Sequence, residues 1–278
     1  MGLLKNIESK KGTLEFEQIV QNNVVGLVEK NVGLEDCFNH STIDSMFPDV
    51  VMIKQETARS VFIGQLKNGP KIFCKVYRER GLAAFLRRLL FKNRAQRAHA
   101  RTLAFEKTEA LTPRSLGYMT RSNGMLNVDS YHFCEYLDDG IALSELSDEA
   151  LFSPARQLEV LAQLAVQLGE IHQNDYMHGD TKLSNFLYAR SKLYFVDLDG
   201  FQRASRKKSP ARDIARLIVA LSEIGLENSE LDQFVARYCH CTSKDRVLLL
   251  DQVRPLVTDF QRKHKVRYDR TPATIFLK

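Results

Sequence analysis

The chain has 278 residues, 44% hydrophobic and 27% charged, which suits a sizeable core and excludes a disordered chain. No apolar run reaches the roughly 18 residues of a membrane-spanning helix, so a helical membrane span is excluded. The net charge of +6 is uneven: Lys71 to Arg101 holds ten Lys or Arg against one acid, Glu79, a local +9 that leaves −3 elsewhere. Such asymmetry points to a partner of negative charge, whether nucleic acid, anionic lipid or a phosphorylated substrate.

The opening residues, MGLLKNIESKKG, lack the apolar stretch and cleavage site of a secretory signal. Asn6 stands where a myristoylation signal after Gly2 carries Ser or Thr. The expected compartment is therefore the cytoplasm. Residues 1–50 are mixed, with a turn or helix start near Asn39 to Asp44. Short apolar runs at Val50 to Ile53, Ser60 to Leu66 and Lys71 to Tyr77 read as strands, the last two joined by the turn Lys67-Asn68-Gly69-Pro70. Residues 82–110 read as helical, closed by Pro113. Met125 to Val128 and Tyr131 to Tyr136 read as two more strands. Pro154 to Gln173 is an amphipathic helix, with Leu158, Leu161, Ala162, Leu164, Ala165 and Leu168 at helical spacing. Two short strands follow at Phe186 to Tyr188 and Leu193 to Val196. Helices are expected over Ala211 to Ile224, Ser229 to Tyr238 and Lys244 to about Lys263. Strands in the first half and helices in the second make an α+β chain of two unlike parts, 1–137 and 138–278. The five cysteines are odd in number and irregularly spaced, as in a reducing compartment. Cys239-His240-Cys241 has no second ligand pair at zinc-site spacing.

The most informative stretch is His178-Gly179-Asp180-Thr181-Lys182-Leu183-Ser184-Asn185, followed by Leu193-Tyr194-Phe195-Val196-Asp197-Leu198-Asp199-Gly200. Phosphoryl transfer needs magnesium held by hard oxygen ligands that bridge the phosphates. It also needs a carboxylate to orient and deprotonate the acceptor hydroxyl. An Asp and an Asn five residues apart on one loop, with another Asp at the end of a paired strand, supply that set. Upstream, Lys75 sits mid-strand among apolar neighbours, where its ammonium must reach water or a partner.

These residues resemble the kinase signature H-x-D-x-x-x-x-N followed by D-x-G. The resemblance implies a protein-kinase-like two-lobed fold, with a mainly antiparallel N-lobe and a helical C-lobe, that uses ATP and Mg2+. It gives Asp180 the base role and Asn185 and Asp197 the metal. It places Lys182 against the transferring phosphate and Lys75 on the ATP phosphates. Nucleotide binding extends in this reading to Glu135 and Leu137. The chain departs from the pattern in several places. Asp197-Leu198-Asp199-Gly200 has one extra residue before its Gly. Gln55 to Ser60 has no glycine to cover phosphates. The position expected to carry an acid for Lys75 falls near Ala98, and Glu106 and Glu109 are the nearest acids. Gly179 replaces the usual Arg, and no Ala-Pro-Glu follows Gly200, which points to a small-molecule or glycan acceptor.

The chain is most similar in pattern to the bacterial lipopolysaccharide core kinases (the Kdo/heptose kinase family). Three stretches carry that similarity: Lys75 to Arg78; Arg94 to Ala98 with Thr112-Pro113; and His178 through Asp199-Gly200 to Arg212-Asp213-Ile214-Ala215-Arg216-Leu217. The resemblance implies transfer of the ATP γ-phosphate to a sugar hydroxyl of the inner core, at the cytoplasmic face of the inner membrane. The basic, apolar segment 81–101 then reads either as a helix lying on an anionic membrane or as one packed on the sheet with a solvated basic face. Asp213 either braces the loop or is a helix-start acid favoured by the dipole. His172 and His178 read as structural, and Asp199 as a further metal or acceptor ligand. Competing readings are a soluble small-molecule or atypical protein kinase, and a non-catalytic pseudokinase that binds an envelope or regulatory partner. Nucleic acid is not an expected partner, since no binding signature accompanies the basic run.

Overall fold

The computed structural model describes residues 5–9, 12–67, 69–205, 209–268 and 275. The chain divides into two compact units, Met1–Lys107 with Pro113–Leu137, and Thr108–Thr112 with Asp138–Lys278.

The first unit contains β1 (Lys5–Ser9), β2 (Gly12–Gln21), β3 (Val24–Glu29), α1 (Ile43–Met46), β4 (Val50–Gln55), β5 (Arg59–Gln65), β6 (Lys71–Glu79), α2 (Gly81–Leu90), α3 (Arg94–Phe105), β7 (Ser115–Ser122) and β8 (Val128–Glu135). The strands form one eight-stranded sheet in the order β1-β2-β3-β7-β8-β6-β5-β4. Every neighbouring pair is antiparallel. Strand alternation sorts β6 into two faces. Ile72, Cys74 and Val76 enter a core with Phe62, Phe133 and Leu116, covered by Leu34, Phe38, Met46 and Phe47. Lys75 therefore belongs to the opposite face, paired across the ladder with His132 of β8. That face carries α3, whose His99 Nδ1 meets Ser115 Oγ at 2.8 Å, and Ser115 Oγ in turn meets His132 Nε2 at 2.9 Å.

The first 50 residues hold three strands that the sequence did not show, followed by the helix start expected near Asn39 to Asp44, which is α1, capped by Thr42. Only Phe16 is buried within the described side chains of β2, and Gly26 interrupts β3, so period-2 alternation is faint there. The helical stretch 82–110 is two helices. Asn93 breaks it, because its side chain accepts from Gln96 N at 2.9 Å while Gln96 Oε1 accepts from Asn93 N at 3.1 Å, a reciprocal cap that starts α3 afresh. The two runs expected near 125–136 are one strand, β8, with Met125 in the turn before it. Its partner β7, with polar residues and Gly117 at a register shift, gave no clear strand pattern.

The second unit contains β9 (Ile141–Ala142), α4 (Pro154–Gln173), β10 (Tyr176–Met177), β11 (Phe186–Ala189), β12 (Lys192–Phe195), β13 (Gln202–Arg203), α5 (Pro210–Glu223), α6 (Asn228–Thr242) and α7 (Arg246–Tyr268). α4 packs on α6 and α5 on α7. Leu161, Leu164, Ala165, Leu168 and Ile171 of α4 are buried, as the helical spacing requires. The hairpin β11–β12 pairs with β9, and β10 pairs with β13. Among the described residues, no helix is long and apolar enough to cross a membrane.

Candidate active site

The loop after β10 is built from the inside outwards. His178 is fully buried, with its ring 5.6 Å from Phe186 and 5.7 Å from Phe195 between centroids. Burial lowers its pKa, so the ring is neutral. Its Nε2 donates to the Val196 carbonyl at 3.3 Å, which leaves Nδ1 to accept from the Asp180 N–H at 3.4 Å. This ring therefore ties the loop to the end of β12.

Asp213, at the start of α5, is buried and turned into the same loop. It accepts from His178 N at 2.7 Å and from Gly179 N at 3.1 Å, while the Thr181 hydroxyl donates to its backbone carbonyl at 3.0 Å. Arg216, one turn further along α5, donates to the Gly179 carbonyl at 2.6 Å. Behind Asp213 stands His172 of α4, with Nε2 at 3.4 Å from Oδ2 and Nδ1 at 2.8 Å from the Tyr238 hydroxyl of α6. Burial lowers the His172 pKa, and a neutral ring that donates to Asp213 and accepts from Tyr238 satisfies both bonds. The brace is thus real: three helices converge on one buried carboxylate. Both histidines expected to be structural hold backbone or carboxylate groups.

Two glycines let the loop meet the turn after β12. Gly179 has φ +80, and a Cβ there would stand 2.5 Å from the Gly200 carbonyl oxygen. A Cβ on Gly200 would stand 2.7 Å from the His178 carbonyl oxygen. Neither position admits a side chain, which gives the missing Arg at Gly179 a steric cause.

Within this frame the structure brings Asp180, Lys182 and Asn185 together. Asn185 Nδ2 donates to the Asp180 carbonyl at 2.8 Å and lies 3.4 Å from its Oδ2. The Lys182 ammonium sits 2.8 Å from the same Oδ2. The Asp180 side chain keeps 34% of its exposure, so its carboxylate is open to solvent while its backbone is clamped. Val196 N donates to the Asn185 carbonyl at 2.8 Å, which places Asp197 one residue beyond a backbone group fixed to the loop. Asp197 has φ 55 and ψ 60, a left-handed conformation that costs a non-glycine residue roughly 1 kcal/mol or more and concentrates at functional sites. The fields of both Asp180 and Asp197 reach His178. Asp199 is exposed on the following turn.

Lys75, Glu135 and Leu137 lie in the other unit. Lys75 is half-buried on β6, and Leu137 is buried at the unit's end. Cys134, its thiol pushed up to about 12 by burial, also feels Lys75, which lowers the value, and Glu106 and Glu135, which raise it. The charges of Lys75, Glu106 and Glu135 are thus all felt at one thiol. Ala98 is buried within α3, whereas Glu106 is its C-terminal cap.

Among the described residues no three His, Cys, Asp or Glu cluster as metal ligands. Asn185 and Asp197 offer instead an amide oxygen and a carboxylate. That hard-oxygen set suits magnesium, which keeps several waters and needs only one or two protein carboxylates beside substrate phosphates.

The sequence matches the model of the lipopolysaccharide kinase (Kdo/WaaP) family over residues 51–238. No curated protein matches. Among solved structures, "WaaP in complex with acyl carrier protein" is 20% identical, covering 78% of this chain and 88% of that one, with a TM-score of 0.55. "Glucosamine kinase in complex with glucosamine, ADP and inorganic phosphate" is 11% identical over 86% of this chain and 94% of that one, with a TM-score of 0.45. The fold is α+β and protein-kinase-like, with an antiparallel sheet in the N-terminal part and helices in the C-terminal part. The chain belongs to the lipopolysaccharide kinase (Kdo/WaaP) family, and it is an ATP-dependent phosphotransferase with a hydroxyl acceptor.

Proposed function

We propose that this enzyme transfers the γ-phosphate of ATP to a sugar hydroxyl of the lipopolysaccharide inner core, in the bacterial cytoplasm at the inner membrane. The observation that carries this reading is Asp180: its carboxylate is open to an acceptor while Asn185 and His178 hold its backbone and Asp213 holds the two residues before it. In this role Asp180 orients the acceptor hydroxyl and takes its proton as the oxygen attacks phosphorus. Lys182, beside Asp180 and 69% exposed, faces the transferring phosphate. Asn185 and Asp197 would hold magnesium, which neutralises the phosphate charge. Lys75 takes the donor's phosphates, and Glu106 is the acid that orients it, in place of one on α3. Glu135 and Leu137 complete the nucleotide site.

The test is transfer of labelled γ-phosphate from magnesium-ATP to purified, dephosphorylated lipopolysaccharide core, beside free glucosamine. Label on the core supports the proposal. Label on free glucosamine alone would make the enzyme a soluble sugar kinase, and no label with ATP bound would remove this acceptor class.

A further inference from the structure

α2 is a helix whose apolar side faces away from the protein. Of its ten residues only Ala84 is buried. Leu82, Leu86, Leu89 and Leu90 follow the i, i+4, i+7, i+8 spacing of one helical stripe, opposite Ala84. They are 61%, 51%, 66% and 76% exposed, and Phe91 just beyond them is 60% exposed. Arg87 and Arg88 flank the stripe on either side, each anchored to the protein body. Arg87 Nη2 lies 3.1 Å from Glu79 Oε1, and Arg88 Nη2 donates to the Met125 carbonyl at 3.1 Å. The second bond fastens the tip of the β7–β8 hairpin beside the helix. Met125 there is itself 70% exposed. Lys92 and Arg94 extend the basic rim, and no acid occurs from Arg80 to Arg101.

We propose that α2 and the β7–β8 tip form a docking surface for an anionic lipid bilayer. A soluble surface rarely leaves a contiguous apolar stripe of this kind uncovered. The helix is about 15 Å long, too short to span a bilayer and suited to lying in the headgroup boundary. Its outer face would enter the acyl boundary, while the basic rim meets lipid phosphates. The charge pattern selects the occupant: a neutral apolar partner would bring no negative charge to the basic rim, and nucleic acid would leave the leucines wet. The inference rests on the membrane location proposed above and names the surface that would make the contact; its test reads binding without turnover, so its failure is distinguishable from failure of the phosphotransfer reading.

The chain has no tryptophan, so Leu90→Trp and Met125→Trp each place a single reporter on this surface. Val247→Trp, at an exposed position of α7, is the control. With phosphatidylglycerol-containing vesicles, the first two emissions shift to the blue and the control does not. In co-sedimentation, the full chain binds these vesicles but not pure phosphatidylcholine, and Leu89→Glu/Leu90→Glu lowers binding by about tenfold or more with an unchanged melting curve. Unmoved emission, or equal binding by the double variant, would overturn the proposal. So would binding to duplex DNA in preference to vesicles, which would assign the basic rim to nucleic acid.

Discussion

Gly179 is the most constrained residue in the loop. Its positive φ and its contact with the Gly200 carbonyl each forbid a side chain, and the Asp213 and Arg216 bonds fix the peptide units on both sides of it. Gly179→Ala is expected to destabilise the enzyme by about 1–3 kcal/mol in urea unfolding and to lower turnover more than nucleotide affinity. Wild-type turnover in that variant would show that the loop tolerates displacement. The spacing of Asp180, Asn185 and Asp197 was legible because those residues share a short loop and the strand beside it. The lack of Arg at 179 was legible too, although its steric cause needed the approach of Gly200. The chain from Tyr238 through His172 to Asp213 was not, because its members lie on three helices joined only by folding. An acid near a helix start has an adequate local explanation, so sequence could not choose between that and the brace.

At the scale of elements, α4 does more than fill the core. Two glutamines one turn apart take up the backbone that leads into the site. Gln167 Oε1 accepts from Leu111 N at 2.7 Å, and its Nε2 donates to the Leu193 carbonyl at 2.8 Å. Gln163 Oε1 accepts from Leu193 N at 2.9 Å. β12, which ends two residues before Asp197, is thereby held from behind. Gln167→Ala should cost about 1–3 kcal/mol in urea unfolding, since it strands two backbone groups at once. A change near zero would mean that water replaces both bonds. These glutamines read from sequence as the polar side of an amphipathic helix, because helical periodicity reports burial and not what a polar side chain grips. The same limit joined α2 to α3: continuous helix formers concealed the cap at Asn93. β11, β12 and α4 to α7 were legible because their apolar spacing is strong, whereas β1 to β3 and β7 alternate weakly and were not.

For the whole molecule, buried histidines set the response to acid. His99 is held down to about 4, first by burial and then by the field of Lys92; His132, His172 and His178 are lowered mainly by burial. All four are neutral in the folded state, while the unfolded chain takes up protons below about 6.5. Stability is therefore full above that value and is lost as pH falls through it, with the His99 share, about 3 kcal/mol, gone near pH 4. Urea midpoints should fall steeply from pH 6.5 to 4.5; a flat profile would mean that these rings are protonated when folded. The α+β class and the order of strands before helices could be read from composition and periodicity, since they depend on many residues at once. The central claim is that Asp180 does chemistry rather than bind nucleotide or hold the fold. The direct measurement is turnover of Asp180→Asn with its magnesium-ATP affinity determined in parallel. The expected result is a loss of transfer of about a thousandfold with affinity changed no more than about twofold. Undiminished transfer, or loss of nucleotide affinity along with it, would contradict the assignment.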